Sequence, residues 1–186
     1  MTSVIILAAG GSRRMGQPKA LLRLTSGQSL LAAHLNAYAG SVEQLIVVGG
    51  SEFDSLRPMC EAVGAVLLRN LKWQSTMPID TLRIGVERVR GQRCLVTPVD
   101  TVPVSDQDLS GLLACRGAAL LVHRGAPGHP VLLGGEELAK LRAEAWQGTL
   151  RDLLVEAEHV PSPRPAICLN MNRPEDWRHW QSTGFA

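Results

Sequence analysis

The amino-acid sequence predicts an α/β fold in which a mostly parallel central sheet is covered by helices on both faces. Two observations lead to this prediction. Short apolar runs such as residues 3–8 end at glycine or at a turn, which is typical of strands buried on both faces of a sheet. Between such runs lie segments whose apolar residues recur every three or four positions, as on one face of a helix. The alternation of the two kinds of segment favours parallel strands joined by right-handed crossovers.

The strands are predicted from short apolar runs that end in turn residues. Residues 3–8 run into glycine and form the first strand, which we expect at the centre of the sheet. Residues 45–48 end in two glycines and form the second. Four further strands share this pattern: 63–68, 94–99, 120–123 and 131–133.

The helices are predicted where the apolar spacing lengthens to three or four residues. The segment that begins at Pro78 is the clearest, because apolar residues follow at helical spacing and proline is tolerated in the first turn. Ser105 with Asp108 three residues later resembles a capping box, which marks the start of a helix over 107–115. The other predicted helices are Leu30–Tyr38, 136–145, 149–158 and 174–181.

Composition limits the class of protein. The chain has 186 residues, of which 45% are hydrophobic, and it contains no linker-like segment or repeat, so we expect one domain over residues 1–186. A net charge of +2 with scattered lysines and arginines argues against a nucleic acid or a membrane as partner. The apolar run at 4–9 is too short for a membrane span and lacks a signal-peptide pattern, so we expect a cytoplasmic protein. The four cysteines form no CxxC pair and the five histidines no HExxH pattern, which argues against the common zinc and redox motifs.

A glycine-rich loop, GGSRRMGQPK, follows the first predicted strand at residues 10–19. Ligands of parallel sheets bind at the carboxyl ends of the strands, where this loop lies. Glycine lets backbone N–H groups approach a phosphate closely, and Arg14 and Lys19 add positive charge. The spacing excludes a Walker loop, in which lysine directly follows the second glycine, and a GxGxxG dinucleotide motif. The alternative is that Arg14 and Lys19 are solvated loop charges.

A carboxylate follows another buried strand, since Asp100 comes directly after residues 94–99. A side chain at this position is placed to hold Mg²⁺, which takes one or two protein carboxylates together with phosphate oxygens and water. The alternative is an aspartate that only caps the next turn.

Residues 7–19 resemble the N-terminal signature LAAGxSxRMGxxK of the MobA-like NTP-transferase family. Within that family the chain looks most like the molybdenum cofactor cytidylyltransferases, because PVD at 98–100, GHPVL at 128–132 and NRPED at 172–176 occur in the same order. The resemblance spans essentially the whole chain. It implies a three-layer, Rossmann-like nucleotide-diphospho-sugar transferase fold. It also implies that a nucleoside monophosphate, with CMP favoured, passes from a nucleoside triphosphate to a phosphorylated acceptor such as the molybdopterin cofactor, with release of pyrophosphate.

The resemblance also implies roles for individual residues. Arg14 would grip the outer phosphates and Lys19 would stabilise charge at the α-phosphate, so these two residues and Asp100 form the expected catalytic set. The expected nucleotide-binding residues are Leu7, Ala8, Ala9, Gly10, Gly11, Ser12, Gly49 and Asn70.

Metal and acceptor sites are implied in the second half of the chain. Asn172 would join Asp100 as a ligand of Mg²⁺. Its amide carries no charge, and Asn170 stands at the family's first acidic position, so weaker metal binding than in relatives is expected. His129 and Arg151 would contact the acceptor phosphate. The alternatives are a structural hydrogen bond for His129 and a plain surface charge for Arg151.

The family pattern changes in the loop beside the base. Relatives read N-P-x-[WY]-x-x-G-M, whereas this chain reads NLKWQSTMP at 70–78, so the base stays open among cytosine, guanine and another base. A sugar phosphate or another small phosphate is an alternative acceptor. A nucleotide-binding module without catalysis is the alternative from another class. It is suggested by Asn170, by the altered loop at 70–78 and by the apolar surface that Trp177 and Trp180 would offer a partner, although tryptophans three apart on one helical face more often belong to the core. A molybdoenzyme is a further expected partner of the enzyme.

Overall fold

The computed structural model describes residues 1–182, whose strands form one sheet. The strands are β1 Thr2–Ala8, β2 Gln44–Gly49, β3 Val66–Arg69, β4 Arg93–Pro98, β5 Ala119–His123, β6 Ala126–Leu133 and β7 Glu158–Pro161. Their order across the sheet is β3-β2-β1-β4-β6-β5-β7. The first strand therefore lies inside the sheet, between β2 and β4, as predicted.

All strands of the described residues except β6 run in the same direction. The pairs β1–β2, β1–β4, β2–β3 and β5–β7 are parallel. β6 is antiparallel to both of its neighbours, β4 and β5. The predicted α/β class with a mostly parallel sheet is confirmed.

The exception arises because β5 and β6 form a hairpin. Its turn is Arg124-Gly125, where φ is 48° and 84°, the positive values that the tightest hairpin turns require. Residues 128–130 have the glycine and proline content of a turn, but they lie inside β6. Gly128 lets β6 pack closely against Ile167, since a Cβ at this position would lie 2.6 Å from the carbonyl oxygen of Ile167.

Helices and two short 3₁₀ segments connect the strands. The 3₁₀ segments are Lys19–Leu21 and Pro165–Cys168. The hydroxyl of Ser105 accepts a hydrogen bond from the N–H of Asp108 at 3.2 Å, so the predicted helix cap is confirmed. The α-helices of the described residues are α1 Leu30–Tyr38, α2 Phe53–Ala62, α3 Pro78–Val86, α4 Asp106–Ala114, α5 Gly135–Arg142, α6 Leu150–Leu153 and α7 Pro174–Ser182.

Three elements differ from the prediction. Helix α2 was not predicted, since Pro58 lies inside it and proline normally interrupts a helix. Strand β3 starts only at Val66, because Gly64, with φ of 69°, belongs to the turn after α2. Only one helical turn, α6, forms within the predicted helix 149–158. The last residue of the predicted range, Glu158, is the first residue of β7. Three of the four residues of β7 are exposed, so the sequence lacks the alternation of a half-buried strand.

Apolar clusters fill both faces of the sheet. One cluster joins the sheet to α1, α2 and α4, through side chains such as Leu35, Leu56 and Leu112. The other joins it to α3 and α5, through side chains such as Leu82 and Leu138. The result is the three-layer arrangement that the resemblance implied. Within residues 1–182, no helix is long and apolar enough to cross a membrane.

A third apolar cluster packs α7 against the segment that follows β4. Trp177 is 8% and Trp180 1% exposed, and their ring centroids lie 5.2 Å apart. They are buried together with Met15, Leu30 and Met171. The idea that these tryptophans offer an apolar surface to a partner was wrong, because the rings form part of the core.

Candidate active site

A cleft of about 340 Å³ opens at the carboxyl ends of β1 and β4. This is the edge of the sheet at which parallel α/β proteins bind their ligands. Trp73, Thr76 and Thr81 contribute to its wall from the segment after β3. The lining also contains most of the residues predicted to bind the nucleotide or to act in catalysis: Leu7, Ala8, Ala9, Gly10, Ser12, Lys19 and Asp100.

The glycine loop folds back on itself. The carbonyl of Ser12, whose φ is 48°, accepts hydrogen bonds from the N–H groups of Met15 and Gly16 at 3.0 and 3.2 Å. The hydroxyl of Ser12 accepts a bond from the N–H of Lys19 at 3.0 Å. Within residues 1–182, the N–H groups of Gly10, Gly11 and Ser12 have no hydrogen-bond acceptor. Consecutive unpaired N–H groups of this kind form an anion-binding concavity.

Two glycines allow Trp73 to lie against the loop. A Cβ at Gly11 would lie 2.5 Å from the indole ring of Trp73. A Cβ at Gly50 would lie 2.8 Å from the Cβ of Trp73 and would overlap the carbonyl oxygen of Ala9. The sequence showed these glycines, but the contact with Trp73 depends on the fold of the 70–76 loop. Trp73 therefore shapes the cleft.

Gly49 and Asn70 lie behind the cleft in this structure. The carbonyl of Gly49 accepts a bond from the N–H of Asn70 at 2.8 Å. The buried amide of Asn70 donates to the hydroxyls of Thr76 and Thr81 at 2.9 and 3.0 Å, and its oxygen accepts from the N–H of Lys72 at 3.0 Å. Both residues thus fix the 70–76 loop, and their direct contact with a nucleotide stays a prediction.

Lys19 joins the two residues predicted to bind the metal. Its Nζ lies 2.7 Å from Oδ2 of Asp100 and 2.9 Å from Oδ1 of Asn172. The side chains of Lys19 and Asp100 are 15% and 23% exposed. A cation therefore sits between two oxygen atoms that are more than seventy positions apart in the sequence. Among the described residues, no group of three or more histidine, cysteine, aspartate or glutamate side chains converges on a metal position.

Backbone contacts hold the late segment beside β4. The N–H of Met171 donates to the carbonyl of Asp100 at 2.7 Å, and Thr101 and Asn170 form an isolated bridge. The carboxylate of Asp176 accepts from the N–H of Asn172 at 2.9 Å, which fixes the start of α7. Asn170 is exposed, and its role is to pair with Thr101.

A buried polar network supports the turn that carries Asp100. The Nε2–H of His34 donates to the carbonyl of Thr101 at 3.0 Å, and the hydroxyl of Thr101 donates to the carbonyl of Pro98 at 2.7 Å. Thr97 and Thr101 are hydrogen-bonded at 3.1 Å, and the side chain of His34 is fully buried. Burial lowers the pKa of His34 from 6.5 to about 4, while its backbone contacts and the charge of Asp100 oppose that shift. Sequence reasoning missed His34, because it lies on a helix whose pattern indicates only a core face.

A second cleft of about 380 Å³ brings together both predicted acceptor residues, His129 and Arg151. His159, which sequence reasoning missed together with β7, lies in the same lining. The rest of the lining is mainly apolar and includes Leu120 and Leu154. This cleft therefore combines an apolar wall with basic side chains.

His129 lies on β6, which pairs with β4, the strand that leads to Asp100. Burial lowers the pKa of His129, and the negative charge of Asp100 opposes that shift. Its Nδ1 is buried and has no hydrogen-bond partner among residues 1–182. A buried ring nitrogen without a partner is the exception in folded proteins.

Arg14 lies outside the lining of the first cleft. Its side chain is exposed, and it has no hydrogen bond or ion pair with the described residues. The long arginine side chain is free to reach a phosphate at the mouth of the loop. Its contact with the outer phosphates stays a prediction.

Comparisons with known proteins identify the family and the fold. Residues 4–160 match the family model of the MobA-like NTP transferase domain. The molybdenum cofactor cytidylyltransferase of Escherichia coli (strain K12) is 25% identical over 177 residues, which are 93% of this chain and 92% of that protein. A nucleotidyl transferase structure from Methanothermobacter thermautotroptrophicus superposes with a TM-score of 0.80 at 23% identity, covering 98% of this chain and 97% of that chain. The structure of molybdopterin-guanine dinucleotide biosynthesis protein A from Archaeoglobus fulgidus gives a TM-score of 0.67 at 19% identity and covers 97% of each chain.

Proposed function

Because the chain belongs to the MobA-like NTP transferase family of nucleotidyltransferases, we propose that it transfers CMP from CTP to a molybdopterin-type phosphate and releases pyrophosphate. The observation that carries the proposal is the meeting of Lys19, Asp100 and Asn172 at the cleft formed by the glycine loop. The cleft with His129 lies on the neighbouring strand, because β6 pairs with β4, the strand that leads to Asp100. A triphosphate in one cleft and an acceptor phosphate in the other would meet near Lys19.

The donor set fits Mg²⁺. Asp100 and Asn172 each direct one oxygen at the Lys19 ammonium, at 2.7 and 2.9 Å, and the ammonium marks a position that a cation can take. Magnesium sites in phosphoryl-transfer enzymes use few protein oxygens and complete the shell with phosphate oxygens and water. Mg²⁺ bound there would neutralise negative charge on the triphosphate. Asp100 and Asn172 are the residues that would hold it.

Backbone and side-chain groups of the protein would align the two substrates and stabilise negative charge on the phosphates. The unpaired N–H groups of Gly10, Gly11 and Ser12 hold the triphosphate, and Lys19 stabilises charge at the α-phosphate. An oxygen of the acceptor phosphate attacks the α-phosphorus, the bond to the bridging oxygen of the β-phosphate breaks, and pyrophosphate leaves with that electron pair. A covalent protein intermediate is not needed, because this chemistry depends mainly on positioning and charge stabilisation.

The second cleft supports a ring-shaped acceptor with a phosphate. Arg151, His129 and His159 supply cationic or hydrogen-bonding groups for the phosphate, and within residues 1–182 no carboxylate lines this cleft. A choline-type cation would find no counter-charge there. A sugar would leave several hydroxyls against leucine and valine side chains, at a free-energy cost. A fused ring with a terminal phosphate suits the same lining better.

The preference for CTP is supported by the GHPVL segment at 128–132 and by the similarity to a cytidylyltransferase over most of the chain. The fold alone does not select the base, since one structural neighbour is named for a guanine dinucleotide. Trp73 and the loop held by Asn70 supply the surface on which the base would rest.

The experiment is pyrophosphate release with molybdopterin cofactor, Mg²⁺ and each of CTP, GTP, ATP and UTP. We expect CTP to give the fastest release and also the largest rise in melting temperature, because a ligand that binds only the native state stabilises it. Faster release with GTP would assign the protein to the guanylyl branch. Absence of release with every nucleotide and with sugar-phosphate acceptors would leave a binding module and contradict the proposal.

A further inference from the structure

We infer that the Lys19 ammonium is a tethered substitute for the metal ion in the nucleotide-free protein. A divalent cation then reaches Asp100 and Asn172 only after a triphosphate has drawn the lysine away. The inference rests on the proposed function for the identity of the metal ligands. It goes beyond that function because it fixes the order in which metal and nucleotide bind.

The geometry of the three side chains is the first support. One ammonium donates to both oxygens that would bind the metal, Oδ2 of Asp100 at 2.7 Å and Oδ1 of Asn172 at 2.9 Å. Both distances are those of good hydrogen bonds, and the pair with Asp100 is charge-assisted. The only carboxylate of the predicted metal site is therefore neutralised before any metal arrives.

Electrostatics make joint occupancy unfavourable. Mg²⁺ binds oxygen at about 2.1 Å, so an ion bound to the same Oδ2 of Asp100 would lie at most about 5 Å from the ammonium. The doubly charged metal ion and the singly charged ammonium of Lys19 would repel each other strongly at that separation in a partly buried site. The single negative charge of Asp100 cannot hold both cations, and Asn172 adds none.

The lysine can leave without a change of the backbone. Its main chain is held by the Ser12 hydroxyl at 3.0 Å and lies in the 3₁₀ segment Lys19–Leu21, whereas the long side chain is flexible. The glycine loop ends at this residue, so a triphosphate in the loop would present its negative charge within reach of Nζ. Transfer of the ammonium from Asp100 to a phosphate would free the carboxylate at the moment when phosphate oxygens become available to complete a metal shell.

The test is Mn²⁺ binding to the nucleotide-free protein, measured by titration calorimetry and by the loss of the free-ion electron paramagnetic resonance signal. Lys19→Met keeps the length of the side chain and removes its charge. Arg13→Met is the matched control, because it removes one positive charge from an exposed position in the same loop. We expect the Lys19 variant to bind Mn²⁺ at least about tenfold tighter than wild type, from relief of like-charge repulsion, and the Arg13 variant to match wild type.

Two further measurements make the outcomes decisive. Asp100→Asn in the Lys19→Met background should abolish the gain, and melting curves should show that every variant is folded. Equal Mn²⁺ affinity in the Lys19 variant and wild type, an equal gain in the Arg13 variant, or a gain that survives loss of Asp100 would overturn the inference. Because CTP itself chelates Mn²⁺, wild-type protein with CTP is compared with CTP alone, and the protein should increase Mn²⁺ binding whether or not Lys19 acts as a substitute. Absence of that increase would overturn the proposed metal site itself, so the two failures are distinguishable.

Discussion

The buried His34 should make the protein sensitive to acid. Burial lowers the pKa of this ring from 6.5 to about 4, so the native state holds it neutral while the unfolded chain takes up a proton at higher pH. The stability that depends on neutral His34 is therefore fully present above about pH 6.5 and is lost as the pH falls toward about 4. Between about pH 7.5 and about pH 5 the native state should lose about 2 kcal/mol through this residue.

The assay compares urea denaturation of wild type and His34→Gln at both pH values. Glutamine keeps an N–H donor for the Thr101 carbonyl but does not titrate. Other groups titrate in both proteins, so the relevant quantity is the difference between the two free energies of unfolding. That difference should shift by about 2 kcal/mol in favour of the variant at about pH 5.

A matched control and a clear contrary result complete this design. His179→Gln changes an exposed histidine on α7, and its pH dependence should follow wild type. If His34→Gln and wild type lost stability in parallel on acidification, the ring would not be held neutral by burial and the reasoning would fail.

Three further predictions concern the site. Asp100→Asn should reduce pyrophosphate release by about 10²–10³ or more while the melting temperature stays near that of wild type; retained turnover at ordinary Mg²⁺ would exclude the metal-ligand role. Gly50→Ala should lower the free energy of unfolding by more than about 2 kcal/mol, because the added Cβ would overlap the carbonyl oxygen of Ala9. Gly10→Ala should fold normally, because no atom of the described residues lies within 4 Å of its added Cβ, and equal urea midpoints for the two variants would contradict this prediction. Arg151→Ala should raise KM for the molybdopterin acceptor about tenfold or more and leave KM for CTP unchanged, since a charge-assisted hydrogen bond is worth about 1.5–3 kcal/mol; an equal rise in both would place Arg151 elsewhere.

The first half of the site could be predicted because its information is local. The loop at 10–19 carries its glycines, hydroxyl and cations within ten residues, and it follows a strand whose apolar run is unambiguous. Asp100 could be found for the same reason, since it follows the buried β4. The structure places Gly10, Ser12, Lys19 and Asp100 around one cleft, as the rule for parallel sheets implies, and leaves Arg14 outside its lining.

The remaining features depend on contacts between distant segments. The role of His34 requires the carbonyl of Thr101, and a helix pattern gives no sign of such a partner. His159 lies on the edge strand β7. This strand forms because it pairs in parallel with β5, although three of the four residues of β7 are exposed. The 128–130 segment has the composition of a turn, but pairing with β4 and β5 holds its neighbours in a strand. In the last two cases strand pairing overrides the local preference of the sequence.

The C-terminal helix has a practical consequence for anyone who shortens this protein. The family model ends at residue 160, which retains six complete strands and most of β7. A fragment that ends at residue 160 would nevertheless lack Asn172, whose side chain supplies one of the two oxygens that converge on Lys19, and would uncover Met15 and Leu30 by removing Trp177 and Trp180. The residues that match the family model therefore cover most of the sheet but not all of the candidate site. Expression fragments and domain fusions of this chain should keep residues 161–182, even though all but the first of these residues follow the last strand.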